Sequence, residues 1–343
     1  MASSTSALAD NVGAVLVTGG AGYIGSHVAK ALAAAGRRVV VVDNLSNGHR
    51  EAVRWGELIE ADVRDVARVR ETIRRHGVTA VMHFAASLLV GESVRDPIGY
   101  YANNVGGALA VLEAMVGESV GRFVLSSTAA VYGEPVETPI TENHPTAPIN
   151  PYGETKLAVE RALGHFERAY GTRSIALRYF NAAGADPDGE LGEEHRPEVH
   201  LIPRAVEAAT GGAAVEVFGS DYPTPDGTCL RDYVHVSDLA RAHLLALERL
   251  EGGGASAVYN LGIGKPFSVQ DVIGAVERVS GRRVPIVRAP RRAGDPGVLF
   301  ASSDRIRTEL GWKPAFVDLD VIVSSAWLWR RAHPRPTQEE AAR

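Results

Sequence analysis

The sequence predicts an α/β protein with a Rossmann-type, doubly wound parallel sheet and a smaller C-terminal α/β region that binds substrate. Three observations predict this class. Short apolar runs alternate with helical patterns, a glycine-rich loop follows the first run, and the alternation stops near residue 182. Strands that are buried on both faces and joined by helices form parallel sheets, which is why the alternation is informative.

The predicted strands are six short runs rich in β-branched and apolar residues. They span Ala14–Thr18, Arg38–Asp43, Glu57–Asp62, Ala80–Ala85, Arg122–Ser127 and Ser174–Phe180. Helical patterns lie between most of them, and two of these patterns stop at Gly36 and Gly77. Glycine is common just after the end of a helix, so these positions mark two helix C-termini.

After residue 182 the pattern changes to a polar loop, "GADPDGELGEEHRPEVH", followed by shorter elements. A loop of this length is more often functional than a plain connection. One later helix is expected to begin at the N-cap Ser237, and another carries the capping-box pair Ser268 and Asp271. We therefore expect a disordered tail over 1–11, a Rossmann domain over 12–182, a partly interleaved substrate region over 183–333 and a tail over 334–343.

Composition narrows the functional classes. The 343 residues carry a formal net charge of −5 and a pI near 6.1, which does not favour binding to nucleic acid or to an anionic membrane. The single cysteine, Cys229, excludes an internal disulfide and fits a reducing compartment. The first residues lack an apolar signal core, so the sequence predicts a cytoplasmic protein. The spacing of His, Cys and Asp predicts no metal site.

The first chemical motif is "TGGAGYIGSH", in which Gly19, Gly22 and Gly25 follow the first strand and open the first helix. Glycines at this place permit a tight turn and let the backbone approach a pyrophosphate at the helix N-terminus. Asp43 ends the second strand, where a carboxylate accepts hydrogen bonds from ribose hydroxyls and repels a 2′-phosphate. The expected cofactor is therefore NAD rather than NADP. Asp62, followed by Val63, is placed either for the adenine or as a helix N-cap.

The second motif is "NPYGETK", which places Tyr152 and Lys156 one helical turn apart. Only four of the 36 basic residues are lysines, so a lysine here suggests a need for a compact point charge. A phenol needs a pKa drop of roughly three units, about 4 kcal/mol, to act as a base near neutral pH. An exposed ion pair supplies only ~0–1 kcal/mol.

We therefore expect Lys156 to lie in a partly desolvated pocket. There it would hold Tyr152 near ionisation, helped by the positive nicotinamide ring, and bond the nicotinamide ribose. Thr128, which follows the fifth strand, is expected to converge with this pair at the carboxyl edge of the sheet. The alternative interpretation is a surface phenol beside a solvated lysine.

Together these motifs resemble the extended short-chain dehydrogenase/reductase family and, within it, the UDP-glucose (UDP-galactose) 4-epimerases. The resemblance runs from about Val12 to His333 and includes the stretches "VTGGAGYIGSH", "SSTAAVYGE", "LRYFNAAGA", "FGSDYPTPDGTCLRDYVHV" and "APRRAGDP". It implies an isomerase that inverts C4 of a UDP-sugar. Tyr152 would take the proton of the C4 hydroxyl, Thr128 would relay it, and NAD⁺ would carry the hydride until the turned 4-keto sugar takes it back.

The resemblance also implies the remaining site residues. Those expected around NAD are Gly19, Gly22, Tyr23, Ile24, Gly25, Asp43, Asn44, Asp62, Val63, Phe84, Ala85, Asn103, Tyr152, Lys156 and Phe180. Those expected around the nucleotide-sugar are Thr128, Tyr152, Asn181, His200, Leu201, Val217, Phe218, Arg231, Arg292 and Asp295. Two arginines suit a diphosphate, because guanidinium groups bond phosphate oxygens bidentately. His83 and His235 are expected to be packed or hydrogen-bonded rather than catalytic.

Three positions depart from the family pattern. Leu88 stands where many members have a lysine that contacts the cofactor, and Thr128 replaces a frequent serine. Leu299 replaces a bulky tyrosine of some members, which suggests tolerance of N-acetylhexosamine substrates.

Several alternatives stay open or are disfavoured. A sugar-nucleotide 4,6-dehydratase needs an Asp-Glu pair after the threonine, whereas this chain has Ala129 and Ala130. A 4-epimerase of another UDP-sugar (an N-acetylhexosamine, pentose or uronate) and a non-catalytic NAD-sensing module remain possible. The family habit implies a homodimer formed through two helices.

Overall fold

The computed structural model describes residues 13–292 and 296–334, and thirteen strands lie in these ranges. The predicted tails lie almost wholly outside the described residues. The strands are β1 (Ala14–Thr18), β2 (Val39–Asp43), β3 (Glu57–Glu60), β4 (Val78–His83), β5 (Arg122–Thr128), β6 (Arg173–Tyr179), β7 (Asn181–Ala183), β8 (Val215–Phe218), β9 (Leu230–His235), β10 (Ala257–Leu261), β11 (Pro266–Ser268), β12 (Ile286–Ala289) and β13 (Val298–Leu299).

Seven of these strands form one parallel sheet in the order β10-β6-β5-β4-β1-β2-β3. The order reverses direction between β1 and β4, which makes this point the topological switch of a doubly wound sheet. Ligands of such sheets bind in the crevice beyond the carboxyl ends of the strands at the switch point. The predicted fold class is confirmed.

Eleven α-helices lie in the described ranges. They are α1 (Tyr23–Ala34), α2 (Val66–His76), α3 (Val90–Arg95), α4 (Pro97–Tyr100), α5 (Gly106–Gly117), α6 (Pro151–Tyr170), α7 (Leu201–Ala209), α8 (Val236–Glu251), α9 (Val269–Ser280), α10 (Asp304–Leu310) and α11 (Leu319–Ala332). No helix of these ranges is both long and apolar enough to cross a membrane.

Helices cover both faces of the large sheet. On one face the sheet residues pack with apolar side chains of α1 and α8, such as Leu32 and Leu247. On the other face they pack with α2, α5 and α6, through residues such as Ile73 and Leu112. Burial on both faces explains why the strands read as continuous apolar runs instead of alternating ones.

The predicted helix ends are partly confirmed. Gly77 follows α2 with φ +58°, a left-handed conformation that favours glycine. Ser268 and Asp271 form the predicted capping box, with both bonds at 2.9 Å. The prediction of Ser237 as an N-cap is wrong, because α8 begins at Val236 and its N-cap is His235. The Nδ1 atom of its N-cap residue, His235, accepts from the Ser237 amide at 3.1 Å.

The C-terminal part of the chain builds a second, smaller core from α7, α9 and α11. Strand β9 lies between β11 and β13 and also pairs with β7, while β8 pairs with β12. Strand β10, from this later part of the chain, returns to pair with β6 in the large sheet. The chain between residues 184 and 200 carries no helix or strand, and it contacts α1 through Asp186 and α11 through Glu193.

Candidate active site

A cavity of about 300 Å³ opens at the carboxyl edge of the sheet. Its walls come from the glycine loop, the ends of β2, β4 and β5, the start of α6 and the loop before α7. A second cavity, of about 230 Å³, lies beside it toward β8 and β9. Asn181, Ala182 and His200 line both cavities, so the two are neighbouring parts of one crevice.

The glycine loop has the geometry of a phosphate cradle. Gly19 has φ +72°, and a Cβ there would lie 2.5 Å from the amide nitrogen of Ala85. A Cβ on Gly25 would lie 2.3 Å from the carbonyl oxygen of Gly19. Gly22 precedes α1 and carries no side chain over the helix N-terminus, where amide N–H groups attract anions. The loop therefore fits a dinucleotide pyrophosphate.

Asp43 and Asp62 lie at the β2 and β3 side of the cavity. The carboxylate of Asp43 accepts from the amides of Ala21 at 2.9 Å and Leu45 at 2.8 Å. Burial raises the pKa of Asp43, and these two amide bonds oppose the rise. Asp43 lines the cavity, at the place expected for a carboxylate that contacts ribose.

Asp62 is held by a residue that the sequence analysis missed. Arg64 donates to both of its carboxylate oxygens, at 2.9 and 2.6 Å, and these bonds lower the pKa of Asp62 to about 2. The alternative interpretation of Asp62 as a helix N-cap is wrong, since Asp65 caps α2 by accepting from the Arg68 amide. Asp62 itself does not line the cavity, although Ala61 and Val63 do.

Tyr152 and Lys156 lie in the first two turns of α6, with Thr128 at the end of β5 opposite them. Helix α6 has its N-cap at Asn150, whose side chain accepts from the Gly153 amide at 2.9 Å, so the turn carrying Tyr152 is fixed. The Thr128 hydroxyl lies close enough to the Tyr152 phenol to lower the pKa of that phenol. All three predicted catalytic residues line the same cavity.

Burial dominates the pKa values of this pair in the protein without ligands. Burial raises the pKa of Tyr152, and the Thr128 hydroxyl only partly opposes the rise. Lys156 donates to the carbonyl oxygen of Ser126 at 3.0 Å, and burial lowers its pKa to about 8. The prediction that Lys156, helped by the positive nicotinamide ring, holds Tyr152 near ionisation stays a prediction. Without the cofactor, burial raises the pKa of the phenol and lowers the pKa of the ammonium.

Glu160, one turn after Lys156, already forms an ion pair with Arg178. Arg178 donates to both of its carboxylate oxygens, at 3.0 and 2.5 Å, and Ser127 donates at 2.5 Å. The charge of Glu160 raises the pKa of Lys156, but burial lowers it by more. The lysine lies in a pocket where its positive charge is poorly compensated.

The remaining residues expected around NAD also line the first cavity. These are Tyr23, Ile24, Asn44, Val63, Phe84, Ala85, Asn103 and Phe180. Tyr179, which the sequence analysis missed, lines it too, and its hydroxyl lies 2.8 Å from Nε2 of His243. As expected, His83 and His235 are packed and hydrogen-bonded: His83 to Thr18 at 2.7 Å, and His235 to Ser325 at 3.1 Å.

The expected substrate residues divide between the two cavities. Leu201, Phe218, Arg231 and Arg292 line the second one, and the Arg292 guanidinium lies 3.7 Å above the ring of Phe218. Val217 is buried in the smaller core and is not among the residues that line either cavity, so its contact with the substrate stays a prediction. Asp295 lies outside the described residues.

The family departures have clear positions. Leu88 lines the first cavity. Leu299 packs against the buried cluster of Ala129, Val131 and Tyr132 instead of lining either cavity. The tolerance of N-acetylated substrates stays a prediction.

Three residues around His200 were missed because the sequence presents them only as part of a polar loop. The Nδ1 atom of His200 lies 2.7 Å from Glu193 and 3.1 Å from Glu198, and Nδ1 of His195 lies 3.0 Å from Glu193. Burial alone would lower the pKa of His200, but the charge of Glu193 outweighs it and raises the pKa. The signal was present in the repeated Glu and His of "GEEHRPEVH", although nothing in their spacing shows that the side chains converge.

Comparison with known proteins gives consistent similarities over nearly the whole chain. The profile of the NAD dependent epimerase/dehydratase family matches residues 15–262. A UDP-glucose 4-epimerase of Halalkalibacterium halodurans is 51% identical over 322 residues, which cover 94% of this chain and 96% of that protein.

Solved structures agree with this similarity. The UDP-glucose 4-epimerase from Brucella ovis in complex with NAD has a TM-score of 0.90 at 52% identity, covering 92% of this chain and 97% of that one. The UDP-Glc/GlcNAc 4-epimerase from Campylobacter jejuni has a TM-score of 0.82 at 41% identity, covering 93% of this chain and 99% of that one.

Proposed function

Because this chain belongs to the NAD dependent epimerase/dehydratase family, we propose that it is an NAD-dependent isomerase that interconverts UDP-glucose and UDP-galactose by inverting C4. One observation carries the proposal. Tyr152, Lys156 and Thr128 face one cavity together with the glycine loop. A protein that only sensed a dinucleotide would have no need for a phenol, an ammonium and a hydroxyl at the same edge of the sheet.

The cofactor site is built from this chain's own groups. The glycine loop and the N-terminus of α1 hold the pyrophosphate, and Asp43 holds the adenosine ribose. NAD⁺, when bound, supplies a hydride acceptor for C4 of the sugar and a positive charge beside the phenol. The same groups keep the dinucleotide bound between turnovers, which a reaction without net oxidation requires.

The substrate site is the second cavity together with the region around Tyr152. Arg231 and Arg292 bind the diphosphate, and Phe218 packs against the nucleotide end. The sugar then lies near Tyr152 and Thr128, and the Thr128 hydroxyl, which lowers the pKa of the phenol, passes the proton to and from it. Tyr152 is the general base for the C4 hydroxyl and returns the proton at the end of the cycle.

The test of this function is turnover of UDP-galactose by the purified protein, followed by chromatography of the UDP-sugars. If NAD⁺ co-purifies with the protein, we expect UDP-glucose to form without added cofactor. If the protein has been freed of NAD⁺, we expect UDP-glucose to form once NAD⁺ is added. NADH must not accumulate in the medium. Protein that binds NAD⁺ but converts neither UDP-hexose nor UDP-GlcNAc would contradict the epimerase and favour a sensor.

A matched pair of arginines tests the substrate site. Arg231→Gln removes a phosphate contact, whereas Arg204→Gln changes an arginine of the same cavity that pairs with Glu216 at 3.6 Å. Charge-assisted bonds are worth about 1.5–3 kcal/mol, so Arg231→Gln should weaken UDP binding ~10–100-fold. Calorimetry with UDP measures this, and equal losses in the two variants would refute the assignment of Arg231.

The proposal also includes a cytoplasmic homodimer. Its support is an exposed apolar strip on α3 to α5, with Val94, Ile98, Tyr101 and Leu109 between 38% and 83% exposed. The single cysteine suits a reducing compartment. Ile98→Glu should convert the protein to a monomer in light scattering, whereas Val136→Glu, a control at an equally exposed position, should not.

A further inference from the structure

Four potential metal ligands converge on one point at the end of the loop before α7. They are the carboxylates of Glu193 and Glu198 and the imidazoles of His195 and His200, and their ligand atoms all lie within 4.8 Å of one another. The two imidazoles present the same atom, Nδ1, to Glu193, at 3.0 and 2.7 Å. His200 presents it to Glu198 as well, at 3.1 Å.

Charge and burial distinguish this cluster from an ordinary surface network. The side chains of Glu193 and Glu198 are 6% and 2% exposed, so two carboxylates lie together largely out of water. Buried charge is costly unless it is compensated nearby. One divalent cation held by two carboxylates and two neutral imidazoles gives a site with no net charge.

The backbone that carries these ligands is fixed from two other parts of the chain. The carbonyl oxygen of Glu193 accepts from Arg330 of α11 at 3.1 Å. The carbonyl oxygen of Glu194 lies 2.7 Å from Nε2 of His49, which follows β2. Metal sites depend on such supports, because they hold the ligands in place before the ion arrives.

A second acidic cluster in the same loop gives a useful contrast. Asp186, Asp188 and Glu190 also lie within reach of one another, but Lys30 lies 2.7 Å from each of the three. That cluster already contains its cation. In the cluster of Glu193, His195, Glu198 and His200, the carboxylates instead face two imidazoles, which are metal ligands when they are neutral.

We propose that Glu193, His195, Glu198 and His200 form a binding site for one divalent transition-metal ion, with Zn²⁺ as the best match. Two nitrogens and two carboxylate oxygens suit zinc, whereas Mg²⁺ and Ca²⁺ prefer oxygen ligands alone. Four protein ligands leave no open position, which is typical of a structural zinc site. The ion stabilises the loop whose residues line both cavities and takes no part in proton or hydride transfer. This revises the expectation of no metal site.

The experiment measures metal content in the full chain, purified without a polyhistidine tag. We expect about one zinc per chain by mass spectrometry, as for a structural site. Protein stripped with a chelator should rebind one equivalent of Zn²⁺ in competition with a chromophoric indicator, and its melting temperature should rise on rebinding. Wild-type protein that holds no zinc, and binds none after stripping, would overturn the proposal whatever the variants do.

Variants locate the site. His195→Ala should lose zinc. Mutation of residues that only support metal ligands typically lowers metal affinity ~10–100-fold, and loss of this ligand should lower it by more. His165→Ala is the control, because His165 lies in α6 beside Arg168, away from the loop, and it should keep wild-type zinc. If His195→Ala does not fold, Glu198→Gln gives the same comparison. Undiminished zinc in a folded ligand variant would refute the assignment. These readouts are independent of epimerase turnover.

Discussion

Two of the four lysines show how differently this molecule treats the same charge. Lys30, on α1, lies 2.7 Å from each of three carboxylates, of Asp186, Asp188 and Glu190. Burial would lower the pKa of Lys30, but these contacts outweigh it and raise the pKa. Lys156, on α6, is 4% exposed, bonds a backbone carbonyl, and has a pKa lowered by burial to about 8.

The difference separates a structural charge from a functional one. Lys30 is stabilised by its acidic neighbours and ties the loop after β7 to α1. Burial of the Lys156 ammonium costs stability, because the nearby carboxylate of Glu160 is already paired with Arg178. A protein keeps an uncompensated buried charge where a ligand or a reaction uses it. The following predictions test this contrast.

The largest expected effect is on turnover, in Tyr152→Phe. Removing the hydroxyl removes the group that takes the C4 proton, and general base catalysis contributes typically ~10²–10⁴-fold, so kcat should fall by that factor. Tyr170→Phe, at an exposed position on the same helix, is the matched control and should leave kcat unchanged. Steady-state kinetics with UDP-galactose measures kcat for both variants. A wild-type kcat in Tyr152→Phe would show that the phenol is not the general base.

Lys156→Met should separate stability from activity. The shift of the pKa of Lys156 from 10.5 to about 8 corresponds to about 3 kcal/mol of destabilisation by the buried ammonium. The cofactor-free variant should therefore resist urea better than wild type at pH 7, while turnover is lost.

The sign of this effect can be checked by pH. The folded pKa lies below the unfolded one, so the destabilisation is complete below about pH 8 and fades as the pH rises toward 10.5. The stability advantage of Lys156→Met should shrink over that range. A variant less stable than wild type at pH 7 would mean that the ammonium is well compensated.

Thr128 offers a smaller effect on the same pair. Thr128→Val deletes the hydroxyl group that lowers the pKa of the Tyr152 phenol. An interaction worth about 1–1.5 kcal/mol corresponds to a loss of ~10-fold in kcat. Thr128→Ser keeps the hydroxyl and should retain most of the activity. Equal rates in the valine and serine variants would show that the hydroxyl is dispensable.

The smallest effect is expected at the other lysine. Lys30→Met leaves three carboxylates around an apolar group, and it should destabilise the protein by about 1 kcal/mol, near the upper end for exposed ion pairs. Its sign is opposite to that of Lys156→Met. Urea denaturation measures it, and kcat should stay close to wild type. If Lys30→Met were more stable than wild type, the claim that Lys30 stabilises the fold while Lys156 destabilises it would be wrong.

The sequence predicts the sheet well because its signals are local. The run from Ala14 to Thr18 and the glycines after it are read directly from residue types, and the structure places them at the switch point of the sheet. The convergence of Thr128, Tyr152 and Lys156 also follows, because parallel strands bring their carboxyl ends to one edge.

Other features depend on long-range packing and were not predictable. Arg64 on Asp62, Arg178 on Glu160 and the approach of Glu193 to His200 are set by how loops and helices meet. The rise in the pKa of Tyr152 that burial causes has the same origin. The sequence places a cation one turn away, but it does not show how completely the pocket removes water.

The most direct test of the central claim is the ionisation of Tyr152 itself. Protein carrying ¹³C at the tyrosine ring carbon bonded to oxygen can be titrated by NMR, with the signal assigned by its loss in Tyr152→Phe. In protein freed of NAD⁺, Tyr152 should stay protonated beyond the ordinary phenol pKa of 10.0, as burial dictates. With NAD⁺ bound, the pKa should fall toward neutrality. A phenol that titrates near neutral pH without NAD⁺, or stays protonated with it, would contradict the account.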